Sequence, residues 1–325
     1  MKICVISFDF WGYDQYIVDV LRHKGIDAHH IKIGAVTHAN FTEKAVNAFS
    51  KVFLKKNLKK EKRQQYVLDS LAQLGYQDQI LVLNPDTFDL STLEKIKTYT
   101  NRMITYLYDN LERFPVEDKL HLFDKIFSFD DKDIKKHGFE RLTNYNYLEY
   151  IPQEKQHPTL DLYYITSFDK GRNKILLPLA KILQKKGIVY DFVVVGKKVW
   201  KEQVKLGKDT LKNFTALKRR PISTATTANI YKNTKALLDL MRSGQTGLSF
   251  RVFEAMAMEK KIVTDNPEIK NYDFYNPNNI LVLNHDLSNI SKEFFQQPYE
   301  KVPEDIYQKY TLDYWTDKVF GLNKN

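Results

Sequence analysis

Gly244–Pro267 reads GQTGLSFRVFEAMAMEKKIVTDNP, and its pattern decides the fold. Gly244 and Gly247 open a loop. Apolar residues from Phe250 to Met258 then recur at helical spacing. Ile262-Val263-Thr264 follows as a short buried strand that ends in the turn Asn266-Pro267. Loop, amphipathic helix and buried strand in that order make half of a βαβ unit. Arg251 and Glu254, three apart at the helix start, share a face. Unpaired N–H groups and the positive end of the helix dipole meet there, which suits an arginine-assisted phosphate contact. A glutamate one turn on is placed to accept hydrogen bonds from a ribose. The combination predicts a nucleotide-diphosphate site.

The rest of the chain extends the same alternation. Strands are expected at Lys2–Phe8, Ala28–Ile33, Gln79–Leu83, Arg102–Tyr108 and Lys125–Phe129. Between them fall helices at Asp14–Lys24, Thr42–Leu74 and Ser91–Thr100, the last with a capping box of Ser91 and Glu94. A further helix runs from Asp130 to Gly138. A second series follows the polar, proline-flanked segment 152–158. Its strands are Asp161–Thr166, Tyr190–Val195, Ala236–Leu240 and Asn279–Leu283. Its helices are Ile175–Lys186, Ser223–Asn233 and a C-terminal Asp305–Phe320. Two successive βα series predict an α/β protein of two doubly wound parallel sheets, whose ligands bind outside the carboxyl ends of the strands. The expected domains are 1–152, 159–302 and a C-terminal helix within 303–325.

Composition narrows the class. The 325 residues are 43% hydrophobic, enough for two cores. The net charge of +10 favours anionic partners. The single cysteine, Cys4, lies inside an apolar run; it excludes an internal disulfide and a cysteine-based zinc site. His29-His30 matches no metal-site pattern. Asp130-Asp131-Lys132-Asp133 has D-x-D letters but reads as a helix start. No metal or other cofactor is expected. No stretch approaches the roughly 18 consecutive apolar residues of a membrane span, and MKICVISFDF reads as a strand, so a cytoplasmic location is expected. The basic amphipathic run within 46–63 is either a contact with an anionic membrane surface, at the inner face of the membrane, or a solvated face. No nucleic-acid-binding signature accompanies the charge.

The segment Gly247-Leu-Ser-Phe-Arg251-Val-Phe253-Glu254-Ala255-Met256-Ala257, with Ile262-Val263-Thr264 after it, resembles a motif of GT-B fold glycosyltransferases. The likeness is to the bacterial lipopolysaccharide, capsule and spore-coat enzymes, including those like family 4. It implies two facing Rossmann-like domains. The first would hold a glycan or lipid-linked acceptor and the second a nucleotide-sugar donor, with a C-terminal helix crossing back. By the resemblance Glu254 binds the donor ribose and Arg251 the diphosphate. Many retaining members carry a glutamate where this chain has Thr246, so the stereochemistry stays open. A UDP-sugar 2-epimerase of the same fold and a non-catalytic nucleotide-sugar-binding assembly protein are the alternatives.

The loops at strand carboxyl ends supply the other candidates. Arg172 and Lys174, beside Gly171, fit diphosphate neutralisation or a solvated turn. Gly244, Gln245, Thr246 and Ser249 offer backbone N–H and hydroxyl groups to the donor, or form a plain turn. In the first domain Trp11, Gly12 and Tyr13 suit an acceptor sugar. Asp14 is a candidate general base or a helix cap, and Asp109 competes for the base role.

Overall fold

A computed structural model describes residues 1–9, 12–36, 57–148, 157–195, 217–218, 224–242 and 244–322. The chain forms two compact units, Met1–Thr143 with Leu312–Asn325, and Asn144–Thr311. The first unit thus ends before the 152–158 segment read as a linker, and the C-terminal stretch 303–325 is shared between the units.

In the first unit the strands are β1 (Lys2–Ser7), β2 (Asp27–Lys32), β3 (Gln77–Val82), β4 (Thr100–Leu107), β5 (Lys125–Ser128) and β6 (Glu140–Arg141). They form one parallel sheet in the order β2-β1-β3-β4-β5-β6. Its helices are α1 (Asp14–His23), α2 (Leu58–Leu74), α3 (Leu90–Lys97) and α4 (Asp131–His137). The interior strands read as continuous apolar runs because both faces are covered. Cys4, Ile6, Ile80, Val82 and Met103 pack with Val67, Leu71, Leu93 and Ile96 on one face.

The second unit repeats the plan. Its strands β7 (Leu160–Ser167), β8 (Tyr190–Val195), β9 (Leu217–Lys218), β10 (Thr234–Asp239), β11 (Lys261–Thr264) and β12 (Ile280–Val282) are ordered β12-β11-β10-β7-β8-β9. Its helices are α5 (Lys170–Lys185), α6 (Thr224–Lys232), α7 (Phe250–Ala257), α8 (Lys292–Gln296) and α9 (Glu304–Tyr307). Alternate residues go to opposite cores, as the strand period of two requires. Leu162, Tyr164, Ala236, Leu238 and Val263 pack with α5, while Tyr163, Leu237 and Ile262 pack with α7.

Several elements differ from expectation. The long helix expected from Thr42 begins at Leu58, where the Asn57 side chain accepts from the Lys60 N–H at 3.3 Å. Residues 37–56, and with them most of the basic run 46–63, lie outside the described residues. Helix α3 starts at Leu90, so Ser91 is no cap. Asp89 takes that position, with its N–H given to Gln64 and its carboxylate engaged by Lys60 and Gln64. Helix α5 begins at Lys170 rather than Ile175, because the Asp169 carboxylate caps the Arg172 N–H at 3.0 Å. The single C-terminal helix is broken at Thr311, where the backbone pairs with Asn146.

After that break α10 (Leu312–Phe320) belongs to the first unit. Lys24 meets Asp317 at 2.5 Å, and Gln79 donates to the Phe320 carbonyl at 3.0 Å. Trp315 is 1% exposed and sits edge-on to Tyr106 at 5.1 Å between centroids. Trp315→Ala should therefore cost about 3–5 kcal/mol, read as a lower urea midpoint. An unchanged midpoint would show that α10 adds nothing to this core.

Candidate functional site

In the second sheet the chain leaves β7 toward β8 and β9 and returns on the other side as β10 and β11. The connections therefore diverge at the carboxyl ends of β7 and β10, the place where doubly wound sheets take ligands. Arg251 spans that point. Its guanidinium donates to Asp239 Oδ1 of β10 at 2.8 Å and to the Ile165 carbonyl of β7, and lies 4.8 Å over the Tyr164 ring. Ser249, the N-cap of α7, accepts from the Arg251 N–H at 3.2 Å and donates to Asp239 at 2.7 Å. Burial works against the Arg251 charge, but its anionic surroundings, Asp239 and Glu254 among them, outweigh this and raise its pKa.

Arg172 comes to the same strand ends from the first turn of α5. It is 9% exposed, donates to Thr166 Oγ1 at 2.9 Å, and its buried Nε has no hydrogen-bond partner among the described residues. The Nε of Arg251 is likewise unpartnered. Arg242 donates to Ser167 Oγ at 2.9 Å. Asp265, at the end of β11, accepts from the Met241 N–H at 2.7 Å; burial, with Asp239 adding and Arg172 opposing, pushes it up to about 6. The structure thus gathers Arg172, Ser249 and Arg251, with three residues the sequence reading missed: Asp239, Arg242 and Asp265. The signal for Asp265 was available, since it is the first carboxylate after an apolar strand, whereas Asp239 lay inside the run read as the strand Ala236–Leu240.

Other candidates fall elsewhere. Lys174 is exposed on α5, on a different face from Arg172. Glu254 does not face solvent as an amphipathic helix would place it: α7 is buried almost all round, and Glu254 is 4% exposed. Its carboxylate accepts from Tyr147 at 2.5 Å and Tyr231 at 3.0 Å, and no salt bridge joins it to Arg251. Gly244 has φ +85°, a conformation that favours glycine. The Gln245 N–H turns back to the Arg242 carbonyl, and the Thr246 carbonyl accepts from Asn266.

In the first unit the sheet order makes β1 and β3 the corresponding switch. Asp9, at φ +49°, and Asp14 bond reciprocally, each carboxylate accepting the other's N–H, at 3.2 and 3.1 Å. Lys32 pairs with Asp9 at 3.3 Å. Asp14 is the first residue of α1 rather than its cap; Tyr13 precedes it, and Gly12 has φ +77°. Asp14 is 4% exposed and accepts from the Tyr108 hydroxyl at 2.7 Å. Burial, with the Asp9 charge adding to it, pushes its carboxyl up to about 6. Asp109 is engaged by Arg113. Trp11 lies outside the described residues. Asp130 caps α4, accepting from Lys132 and Asp133. Among the described residues no group of three or more His, Cys, Asp or Glu is placed to hold a metal, and no helix is long and apolar enough to cross a membrane.

Residues 172–305 match the family described as glycosyl transferase-like. No curated protein matches the chain in sequence. Among solved structures, an alpha-glucosyltransferase in complex with UDP-glucose and DNA containing an abasic site superposes with a TM-score of 0.61 at 13% identity, over 99% of both chains. The UDP-GlcNAc 2-epimerase of Methanocaldococcus jannaschii, in complex with UDP-GlcNAc and UDP, gives 0.58 at 14%, over 99% of this chain and 100% of its own. The lipopolysaccharide outer core galactosyltransferase WaaB gives 0.56 at 12%, over 99% and 100%. Two parallel-sheet α/β units, matched end to end by such structures, give this chain the GT-B fold of the glycosyltransferases it resembles.

Proposed function

We propose that this protein is a glycosyltransferase that moves a sugar from a nucleotide-sugar to a glycan or lipid-linked acceptor in bacterial surface polysaccharide or lipopolysaccharide synthesis. The observation that carries the reading is the placement of Arg251 and Arg172. A buried Arg172 and a half-buried Arg251, each with a buried Nε–H that has no partner among the described residues, meet a capped helix N-terminus at the switch point of the second sheet. That chemistry fits a diphosphate, which two guanidinium forks and helix N–H groups neutralise without a metal ion. Gly244, Gln245 and Thr246 border the same loop, and Glu254 takes the ribose contact in this reading. Asp14 is the general base, since its raised pKa approaches neutrality while the Asp109 carboxylate is held by Arg113. The charge of the 46–63 run adds a contact with the anionic inner face of the membrane. In its described part Lys60 turns to Asp89, and Arg63 lies over the Phe8 ring.

A thermal-shift screen against UDP-, GDP-, CMP- and ADP-sugars tests the donor site. Ligand at 100 times its Kd stabilises by about 2.7 kcal/mol, so one nucleotide class should raise the midpoint clearly. No shift with any of them would remove the nucleotide-sugar reading. The 2-epimerase solved with UDP-GlcNAc among the similar structures supports a second reading, a UDP-sugar epimerase. Product analysis with the nucleotide-sugar alone separates the two, because epimerisation needs no acceptor.

A further inference from the structure

Right-handed crossovers that run from β1 to β2, and then from β2 back past β1 to β3, put α1 and α2 on opposite faces of the first sheet. The adjacent carboxyl ends of β1 and β3 therefore lie between α1, which begins at Asp14, and the N-terminal turns of α2. Asn84, just beyond β3, bridges these ends, its Oδ1 accepting from the Phe8 N–H at 2.9 Å. Arg63 comes to the same place from α2. It stands one turn before Val67 and two before Leu71, which pack into the core, so it shares their face. Its guanidinium lies 4.5 Å over the Phe8 ring. Phe8 in turn precedes Asp9, whose N–H goes to Asp14.

Its neighbours have counter-ions and Arg63 does not. Lys32 pairs with Asp9, and Lys60 with Asp89. Among the described residues no carboxylate pairs with Arg63, and its buried Nε has no hydrogen-bond partner. Burial lowers its pKa, and no neighbouring carboxylate acts against that. The run 37–63 offers two acidic residues, Glu43 and Glu61, against eight lysine and arginine residues, and Glu61 is exposed on α2. The Phe8 ring attracts the charge without supplying an acceptor oxygen, so the guanidinium keeps donors for an oxyanion. We propose that Arg63 binds an oxyanion carried by the acceptor, at the switch point of the first sheet, which makes the acceptor a phosphorylated or carboxylate-bearing glycan. The proposal rests on the reading of this protein as a glycosyltransferase with its acceptor in the first unit. The oxyanion supplies the counter-charge that the chain does not, and it holds the acceptor beside the loop that leads to Asp14. A neutral glycan would leave the guanidinium desolvated and unpaired.

Glucose 1-phosphate and glucuronic acid probe the two sources of the charge, with methyl glucoside as the neutral control. In the intact ¹⁵N-labelled protein, the Arg63 Nε–H signal, assigned by its loss in Arg63→Met, and the Phe8 amide signal should both move with an anionic probe and stay put with methyl glucoside. A response to glucose 1-phosphate alone assigns a phosphate, and one to glucuronic acid alone assigns a sugar acid. In Arg63→Met the anion affinity, read at the Phe8 amide, should fall about 10- to 100-fold. The urea midpoint should hold or rise, because methionine keeps an apolar stem against the core and removes a desolvated charge. Signals that move with neither anion, or that move equally with methyl glucoside, overturn the proposal. So does an unchanged anion affinity in Arg63→Met, which with a lowered midpoint would mark an arginine kept for packing. Failure of the glycosyltransferase reading shows itself separately, as no thermal shift with any nucleotide-sugar while Arg63 still responds to the anion.

Discussion

Arg251→Met should lose donor binding and stability together, while a second substitution returns only the stability. Removing the guanidinium leaves Asp239, 3% exposed, as a buried carboxylate with no counter-ion. Breaking a buried pair from one side costs about 3–5 kcal/mol. Asp239→Asn added to Arg251→Met removes the stranded charge, so the double variant should recover most of the urea midpoint. Nucleotide-sugar affinity should stay low in both, by about 2–5 kcal/mol, because the guanidinium proposed to meet the diphosphate is gone. Asp239→Asn alone carries the opposite sign. The carboxylate competes with any diphosphate for the same guanidinium, so its neutral isostere should bind the nucleotide more tightly. Calorimetry on the three variants decides the matter. Equal affinity in Arg251→Met and the unmodified protein would place the donor elsewhere, and a weaker Asp239→Asn would make Asp239 a direct ligand group rather than a competitor.

The fold was legible because buried parallel strands announce themselves. Tyr190–Val195 is the same strand in sequence and structure, since an apolar run covered on both faces has little else to become. Local chemistry that depends on distant partners was not legible. Ser91 and Glu94 spell a capping box, yet Gln64 and Lys60, from another helix, take hold of Asp89 and move the cap from Ser91 back to Asp89. The C-terminal pattern is helical through Thr311, but the strand-like pairing with Asn146 interrupts it. At the site, spacing placed Arg251 at a helix start without revealing its partner. The charge pair formed with Asp239, at the end of β10, and not with Glu254, its neighbour on the helix. Glu254 itself was read as able to reach a ribose. Tyr147 and Tyr231 close over it from remote parts of the chain, a contact that no spacing rule contains.

Asp14→Asn should make the protein more stable near neutral pH while removing its activity, a combination that a purely structural carboxylate does not give. The sign follows from the direction of the shift. Asp14 titrates at about 6 in the folded protein, raised by burial from an ordinary carboxylate value near 4. Between those values the folded state holds a proton that the unfolded chain has released, so stability falls as pH rises through that window and stays lower above it. Asparagine keeps the shape and the contact with the Tyr108 hydroxyl but never ionises. Its advantage should be about 1–3 kcal/mol at pH 7 and vanish below about pH 4. His30 shifts in the opposite sense, but it is present in both proteins and cancels in the difference. Loss of a general base costs about 10²–10⁴ in rate, to be read as turnover of the nucleotide-sugar that the thermal screen selects. Stability curves at pH 4 and 7 give the other half. A variant less stable at pH 7 would mean that the Asp9–Asp14 pair is kept for folding, and the base would then have to be sought elsewhere.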